Sequence, residues 1–292
     1  MVGLMTEPYL SVVVPVHNEE KHIEAFLDQL RSALLNCPFA FEVIVVNDGS
    51  TDKTHELILK LEQIKLINHD TNRGYGSAIK SGILAASADK ILITDADGTY
   101  PTEKIADLLK YSQDYDMVVG ARIVNKTHHS KVKRLAKWPI HLLANYLVGF
   151  KIPDLNSGLR IFRKDLALKY FRLLPNGFSL TTNITLAFLA DGYRVKYIPI
   201  DYHKRVGKSK VHPIRDAVNY LVLVMRMILF YNPLKFFVPV AGVFFALSAW
   251  SFLYDIIKLD DLTEKTLILF VAFVQITILG FLADLINKRG MD

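Results

Sequence analysis

Acidic and amide side chains recur at three places in the first hundred residues: His17-Asn18-Glu19, Asn47-Asp48-Gly49 and Asp95-Ala96-Asp97. The last places two carboxylates one residue apart. Such hard oxygen donors hold a divalent cation, Mg2+ or Mn2+, together with the phosphates of a substrate. Taken singly, each acid is more readily a cap or turn residue, positions that Asp, Asn and Gly favour. Taken together they supply what a nucleotide needs: a wall for the base, a carboxylate for base or ribose donors, and a metal for the diphosphate.

The elements that must bring these loops together follow from hydrophobic pattern. Residues 9–16, 41–46 and 90–94 each read as a buried parallel strand, and each runs directly into one of the three loops. Further strands are expected at 64–68, 117–120 and 193–200. A helix with Ile23, Phe26, Leu27, Leu30 and Leu34 on one face follows the first loop. A second, capped by Ser50 or Thr51, carries Leu57, Ile58 and Leu61. A third opens at Asn72-Arg73-Gly74-Tyr75-Gly76, and a fourth runs from Pro101 or Thr102 to Leu109. This alternation predicts an α/β fold with a mainly parallel sheet, whose strands end on one edge where ligands bind. Gly74 and Gly76 do not complete a dinucleotide-binding G-x-G-x-x-G, so a close approach of the backbone to a neighbour is their expected use.

Past Gly120 the composition changes. Between Arg122 and Lys137 stand six cations and no acid, and Trp138, Ile140, Leu142, Leu143, Tyr146, Leu147 and Phe150 follow at near-helical spacing. A basic run merging into an apolar helix suits a membrane interface, and a solvated loop before a core helix is the alternative. His203-Lys204-Arg205-Val206-Gly207-Lys208-Ser209-Lys210 is either a flexible basic loop able to close on a diphosphate or a solvated charge run. Residues 211–232 read as a second interfacial helix. Phe236 to Tyr254 and Thr266 to Ala283 carry no charge over 19 and 18 residues, enough with their flanks for spans at about 235–257 and 265–286.

Charge divides unevenly. Five Lys/Arg against six Asp/Glu lie from Pro233 onward, a net of −1; the totals of 35 and 29 leave 30 against 23, or +7, on residues 1–232. A basic globular part beside a membrane suggests phosphates or lipid headgroups as partners. Nucleic acid is not expected, because no recognised motif for it accompanies the charge. Cys37 is the only cysteine, so no intrachain disulfide is possible. The first eight residues lack the pattern of a signal peptide, and Lys288 and Arg289 follow the second span. The expected topology is a two-span protein of the cell membrane, with the globular part and the C-terminus cytoplasmic.

Val14-Pro15-Val16-His17-Asn18-Glu19, Asn47-Asp48-Gly49-Ser50-Thr51-Asp52, Asp95-Ala96-Asp97-Gly98, Ser157-Gly158-Leu159-Arg160 and Arg205-Val206-Gly207-Lys208-Ser209-Lys210 occur in that order. In this the chain resembles the family 2 glycosyltransferases over about residues 9–232, and within them the polyprenyl-phosphate glycosyltransferases of the dolichyl-phosphate mannose synthase group. The resemblance implies a GT-A fold (Rossmann-like) over 1–210, with an interfacial helix near 134–150, then the helix at 211–232 and a transmembrane hairpin over 233–292. It implies inverting transfer of one sugar from a GDP- or UDP-hexose to a dolichyl or undecaprenyl phosphate. By motif, Pro15, His17, Glu19, Val46 and Asp48 hold base and ribose, and Asp95 and Ala96 continue the nucleotide site. Asp97 binds the metal, with Asp95 the second candidate ligand. Arg122 and Arg134 meet the acceptor phosphate, and Arg205 and Lys210 close over the diphosphate. His17 stands where many members have Tyr, and Thr99 where some have a metal-ligating Gln.

A lipid monophosphate is already anionic, so its attack on the anomeric carbon needs alignment and neutralisation of the departing diphosphate more than a base. A sugar hydroxyl acceptor needs a carboxylate base, for which Asp154 is the nearest candidate. Both acceptors stay open on the sequence, as does a non-catalytic nucleotide-sugar-binding subunit. A processive polysaccharide synthase is not expected, since neither Trp138 nor Trp250 lies in a Gln-x-x-Arg-Trp motif.

Overall fold

The computed structural model describes residues 8–122, 142–177, 179–203, 213–259 and 261–289, without the side chains of 213–220 and 289. The chain divides into two units, 1–220 and 221–292.

The first unit is built on a seven-stranded sheet. In chain order its strands are β1 (Leu10–Val16), β2 (Phe41–Asp48), β3 (Ile64–His69), β4 (Lys90–Ile93), β5 (Met117–Ala121), β6 (Arg160–Arg163) and β7 (Val195–Pro199). They lie side by side as β3-β2-β1-β4-β6-β5-β7. Every contact is parallel except those of β6, which runs against both β4 and β5. The parallel part follows the sequence pattern. The short antiparallel strand does not, because Arg160 and Arg163 at its ends read as solvent positions.

All seven residues of β1 are buried, as expected for a central strand covered on both faces. On one face Leu10, Val12, Val14 and Val16 join Ile23, Phe26, Leu27, Leu30 and Leu34 of α1 (Ile23–Leu35), the stripe expected from spacing. Each fully buried Leu or Ile there contributes roughly 1.5–3 kcal/mol. On the other face α3 (Tyr75–Ala85) lies so close to β1 that a Cβ on Gly82 would come within 2.2 Å of Val13 Cγ1. Between α1 and α3 in the chain comes α2 (Thr54–Leu59), which packs against α1. After a 3-10 turn at Thr102–Lys104 comes α4 (Ile105–Leu109), with the start expected from Pro101. Among the described residues α5 (142–148) buries Ala144 and Leu147 and exposes Leu142 and Tyr146, with Phe150 exposed just beyond. The unit continues with α6 (Lys164–Lys169) and α7 (Leu180–Ala190), and the unit boundary falls within α8 (Pro213–Tyr231).

The second unit is a helical hairpin of α9 (Leu234–Tyr254) and α10 (Glu264–Arg289), joined through a π-helical turn at Asp255–Leu259. Gly280 lets the helices meet, since a Cβ there would lie 2.7 Å from Phe237 Cβ. The turn is tied by Asp255, whose Oδ2 accepts from Thr263 N, Thr263 Oγ1 and Thr266 Oγ1 at 3.0, 2.6 and 2.6 Å. Two stretches, Leu234–Leu259 and Glu264–Lys288, are long and apolar enough to cross a membrane. Only 17% and 11% of their most apolar windows are buried, which sets them apart from the core hairpin of a soluble domain. They are candidate spans.

Candidate active site

The loops that follow β1 and β2 are stitched into one platform. Asn18 N donates to Ser50 Oγ, Glu19 N to Thr54 Oγ1 and Glu20 N to Asp52 Oδ2, at 3.0, 2.9 and 3.2 Å. In return Thr51 N donates to Asn18 Oδ1 at 2.8 Å and Lys53 N to Glu20 Oε2 at 3.2 Å. Asn18 supplies these bonds from a left-handed backbone (φ +57°), a conformation Asn tolerates better than most residues. The expected cap of α2 is therefore corrected. Ser50 and Thr51 are used by the neighbouring loop, and it is Asp52 Oδ1 that accepts from Thr54 N at 3.0 Å.

His17 sits on this platform with Nδ1 2.8 Å from the Asp48 carbonyl oxygen. A carbonyl only accepts, so the proton is on Nδ1 and the ring is held in a fixed orientation. The Asp48 carboxylate is 3% exposed residue by residue and already engaged: Oδ1 meets His69 Nδ1 at 2.7 Å and accepts from Arg73 N, and Oδ2 accepts from Gly74 N. Its observed work is to fasten the end of β2 to the start of α3. Pro15, Val46 and Ala96 are buried too, so they form the floor of the platform. Glu19 is half-buried beside them. Gly74 and Gly76 serve close approach, as expected. A Cβ on either would strike the 175–176 backbone, at 2.6 Å from Asn176 O and 2.3 Å from Pro175 O.

At the end of β4 the two acids are held differently. Asp95 Oδ1 accepts from the Tyr75 hydroxyl at 2.8 Å, and a Cβ on Gly158 would come within 2.6 Å of Asp95 Oδ2. Burial, and then the Asp95 charge, push the Tyr75 phenol well above its usual range, so it stays a donor. Gly158 is itself pinned, its N–H donating to the Tyr100 hydroxyl at 2.6 Å. Asp97 instead is held by its own turn. Gly98 adopts φ +67°, and the chain folds back so that Thr99 N and Thr99 Oγ1 both donate to Asp97 Oδ1, at 3.2 and 2.6 Å.

Arg122 closes the β5 end. Its Nε and Nη2 donate to Asp154 Oδ2 and Oδ1 at 2.7 and 2.8 Å, its N–H donates to Oδ2, and its guanidinium lies 5.3 Å over the Tyr202 ring. Tyr202 packs edge-on against Tyr100, and the next residue, His203, donates its N–H to Thr99 O at 2.9 Å. Burial pushes the Asp154 carboxyl up, but the bonds from Arg122 and from Asn156 N outweigh it and hold the group below the usual carboxylate range. Arg134, Arg205 and Lys210 lie outside the described residues.

Sequence reasoning met Arg160 only as the end of the Ser-Gly-Leu-Arg motif and gave it no role. Arg160 is 0% exposed; Nε and Nη2 donate to Ser157 O, and Nη1 donates to Thr181 O and Thr185 Oγ1 at 2.8 and 2.7 Å. It therefore clamps the Ser157-Gly158 segment, which presses on Asp95, to α7. A signal was present, since an arginine inside an otherwise apolar Leu-Arg-Ile-Phe run must find several acceptors. Tyr75 and His69 had none, for their partners lie 20 and 21 residues away.

The family model described as Glycosyl transferase family 2 matches residues 11–171, and that of the GtrB C-terminal hairpin matches 232–288. The chain is 31% identical over 209 residues to a dolichyl-phosphate hexose transferase of Haloferax volcanii, covering 70% of this chain and 87% of that one. It is 32% identical over 229 residues to a dolichyl-phosphate beta-glucosyltransferase of Trichomonas vaginalis, covering 70% and 67%. Among solved structures it superposes on glucosyl-3-phosphoglycerate synthase of Mycobacterium tuberculosis in complex with Mn2+, UDP-glucose and phosphoglyceric acid. The TM-score is 0.59 at 18% identity, over 74% of this chain and 79% of that one. The same enzyme with Mg2+ and UDP gives 0.58 at 17% identity, over 76% and 78%. With its mainly parallel mixed sheet, the first unit has the GT-A fold. The chain is a glycosyltransferase and belongs to glycosyl transferase family 2.

Proposed function

We propose that the chain transfers a single hexose from a nucleotide-sugar to the phosphate of a polyprenyl phosphate, with inversion, at the cytoplasmic face of a membrane. The observation that carries the choice of acceptor is the Arg122–Asp154 pair. A hydroxyl acceptor needs a base, and Asp154, the nearest candidate, is gripped by a guanidinium and held ionised below the usual range, which makes it a weak one. A phosphate acceptor needs no proton removed. The similarity to a dolichyl-phosphate hexose transferase of Haloferax and a dolichyl-phosphate beta-glucosyltransferase of Trichomonas supports the same acceptor. The exposed Leu142, Tyr146 and Phe150 support an interfacial seat for the helix within 134–150. On this reading that helix, the one at 211–232 and the hairpin over 233–292 anchor the 1–210 domain to the lipid.

The donor rests on the platform, with the fixed His17 ring against the base, and Glu19, Asp48 and Asp95 on the nucleotide side. UDP-hexoses come first, since the structural neighbours hold UDP or UDP-glucose, with GDP-hexoses next. Asp97 offers a hard oxygen beside where the diphosphate must lie. Among the described residues no group of three or more His, Cys, Asp or Glu could hold a metal alone. That donor set fits Mg2+ or Mn2+, which take one or two carboxylates and draw their other ligands from phosphates and water. When bound, the cation neutralises the departing diphosphate. Arg205 and Lys210 share that task by motif. Arg122 and Arg134 orient the acceptor, whose phosphate oxygen attacks the anomeric carbon from the face opposite the diphosphate. The new C–O bond forms as the bond to the diphosphate breaks, and no proton moves.

The test is to incubate the purified full chain with labelled UDP-glucose, other UDP-hexoses and GDP-mannose in the presence of polyprenyl phosphate. An acid-labile product that extracts into organic solvent is expected. No such product with any donor, while saccharide or protein acceptors are labelled, would overturn the assignment.

A further inference from the structure

By the resemblance Thr99 stands where some family members have a metal-ligating Gln, yet it is 0% exposed and its hydroxyl proton is directed at Asp97 Oδ1 over 2.6 Å. Its backbone N–H reaches the same oxygen at 3.2 Å, and its carbonyl accepts from His203 N at 2.9 Å. The residue is thus fixed through its N–H, hydroxyl and carbonyl. The left-handed Gly98 between the two residues is what lets both donors converge on one oxygen. A carboxylate normally rotates about its Cβ–Cγ bond. Two donors on one oxygen remove that freedom and decide which oxygen is turned toward a ligand.

We propose that Thr99 is a positioning residue: its N–H and hydroxyl, both on Oδ1, hold the Asp97 carboxylate in the orientation in which it meets the divalent cation. This rests on the reading of Asp97 as the cation-holding residue and gives a role to the residue that follows the Asp-Ala-Asp-Gly turn. A cation held by one carboxylate draws most of its shell from phosphate and water, so its affinity depends on the nucleoside diphosphate being present. Orientation by a neighbouring hydroxyl is typically worth ten- to a hundredfold in cation affinity (order of magnitude about tenfold for a single neutral donor).

The test reads binding rather than turnover. The full chain in detergent is titrated calorimetrically with UDP and with GDP, each with Mn2+ and again in EDTA, as wild type, Thr99→Val, Thr99→Ser, Thr99→Ala and Asp97→Asn. Mn2+ should tighten nucleotide binding in the wild type. Thr99→Val and Thr99→Ala should lose about tenfold of that gain with affinity in EDTA unchanged, and Thr99→Ser should restore it. The unchanged affinity in EDTA shows that each variant is folded, and Thr99→Ala covers the case in which valine does not fit. Full retention of the Mn2+ gain in Thr99→Val or Thr99→Ala, alongside its loss in Asp97→Asn, overturns the role of Thr99 alone. Retention of the gain in Asp97→Asn, or no gain in the wild type, overturns the reading of Asp97 and this proposal with it.

Discussion

Arg122 grips the carboxylate of Asp154 with two parallel hydrogen bonds, 2.7 and 2.8 Å long, and adds a third from its own backbone N–H. The pair joins the end of β5 to the segment before β6. Asp154→Asn should lower stability by about 2 kcal/mol, less than for a fully enclosed pair because the Arg122 side chain is 28% exposed. Transfer should slow through misplacement of Arg122 without being abolished, because no proton passes through Asp154. Urea unfolding in detergent and initial rates check this, and complete loss of transfer with the fold intact would restore Asp154 as a base.

The same pair predicts a pH dependence. The Asp154 carboxyl is held below its unfolded value, so the unfolded chain binds the extra proton first as pH falls. Its stabilisation is complete above about pH 5 and is lost as pH drops through the unfolded and then the folded value. The melting temperature of the wild type should therefore fall below about pH 5 more steeply than that of Asp154→Asn. Parallel curves would remove Asp154 from the explanation.

Gly158→Ala places a methyl group 2.6 Å from Asp95 Oδ2, and Asp95 cannot retreat while Tyr75 holds its other oxygen. The KM for the donor should rise about tenfold with a smaller change in kcat, as expected when ground-state binding is disturbed. Steady-state kinetics at saturating acceptor measure it.

Removing Arg160 takes two donors from the Ser157 carbonyl and one from the Thr181 carbonyl, which keeps Thr185 Oγ1. Arg160→Met should cost about 3 kcal/mol. Arg160→Lys should not rescue it, because an ammonium cannot reproduce the planar fork that spans Ser157, Thr181 and Thr185. Chemical denaturation of the two variants decides the point.

Gly76→Ala drives a methyl group to 2.3 Å from Pro175 O, a backbone atom that cannot swing away, whereas a Cβ on Gly177 meets nothing within 4 Å. The first variant should be destabilised by about 2 kcal/mol or more and the second by well under 1 kcal/mol. Equal melting temperatures would mean that the 175–177 segment yields freely.

Much of this architecture was legible in the sequence because it rests on local periodicity. The α1 stripe, the central strands and the loops at their carboxyl ends follow from spacing alone, as does the apolar length of α9 and α10. What was hidden depends on partners distant in the chain. The sequence did not show that the Asp48 carboxylate also fastens His69 and the 73–74 backbone. The cap of α2 was misplaced because Ser50 and Thr51 are bonded to Asn18, more than thirty residues earlier. The β6 strand was missed because its four residues begin and end in arginine, and only the acceptors around Arg160 make that charge tolerable inside. Thr99 had no place until its hydroxyl was seen to meet Asp97.

The reversed direction of β6 has an architectural result. The platform is made of chain leaving the sheet, after β1 and β2, and Asp95 follows β4 in the same way, whereas Ser157-Gly158 reaches Asp95 as chain entering the sheet, ahead of β6. Outgoing and incoming connections belong to different crossovers. An insertion between β5 and β6 therefore bears on Asp95 without passing through the connections that follow β1, β2 and β4.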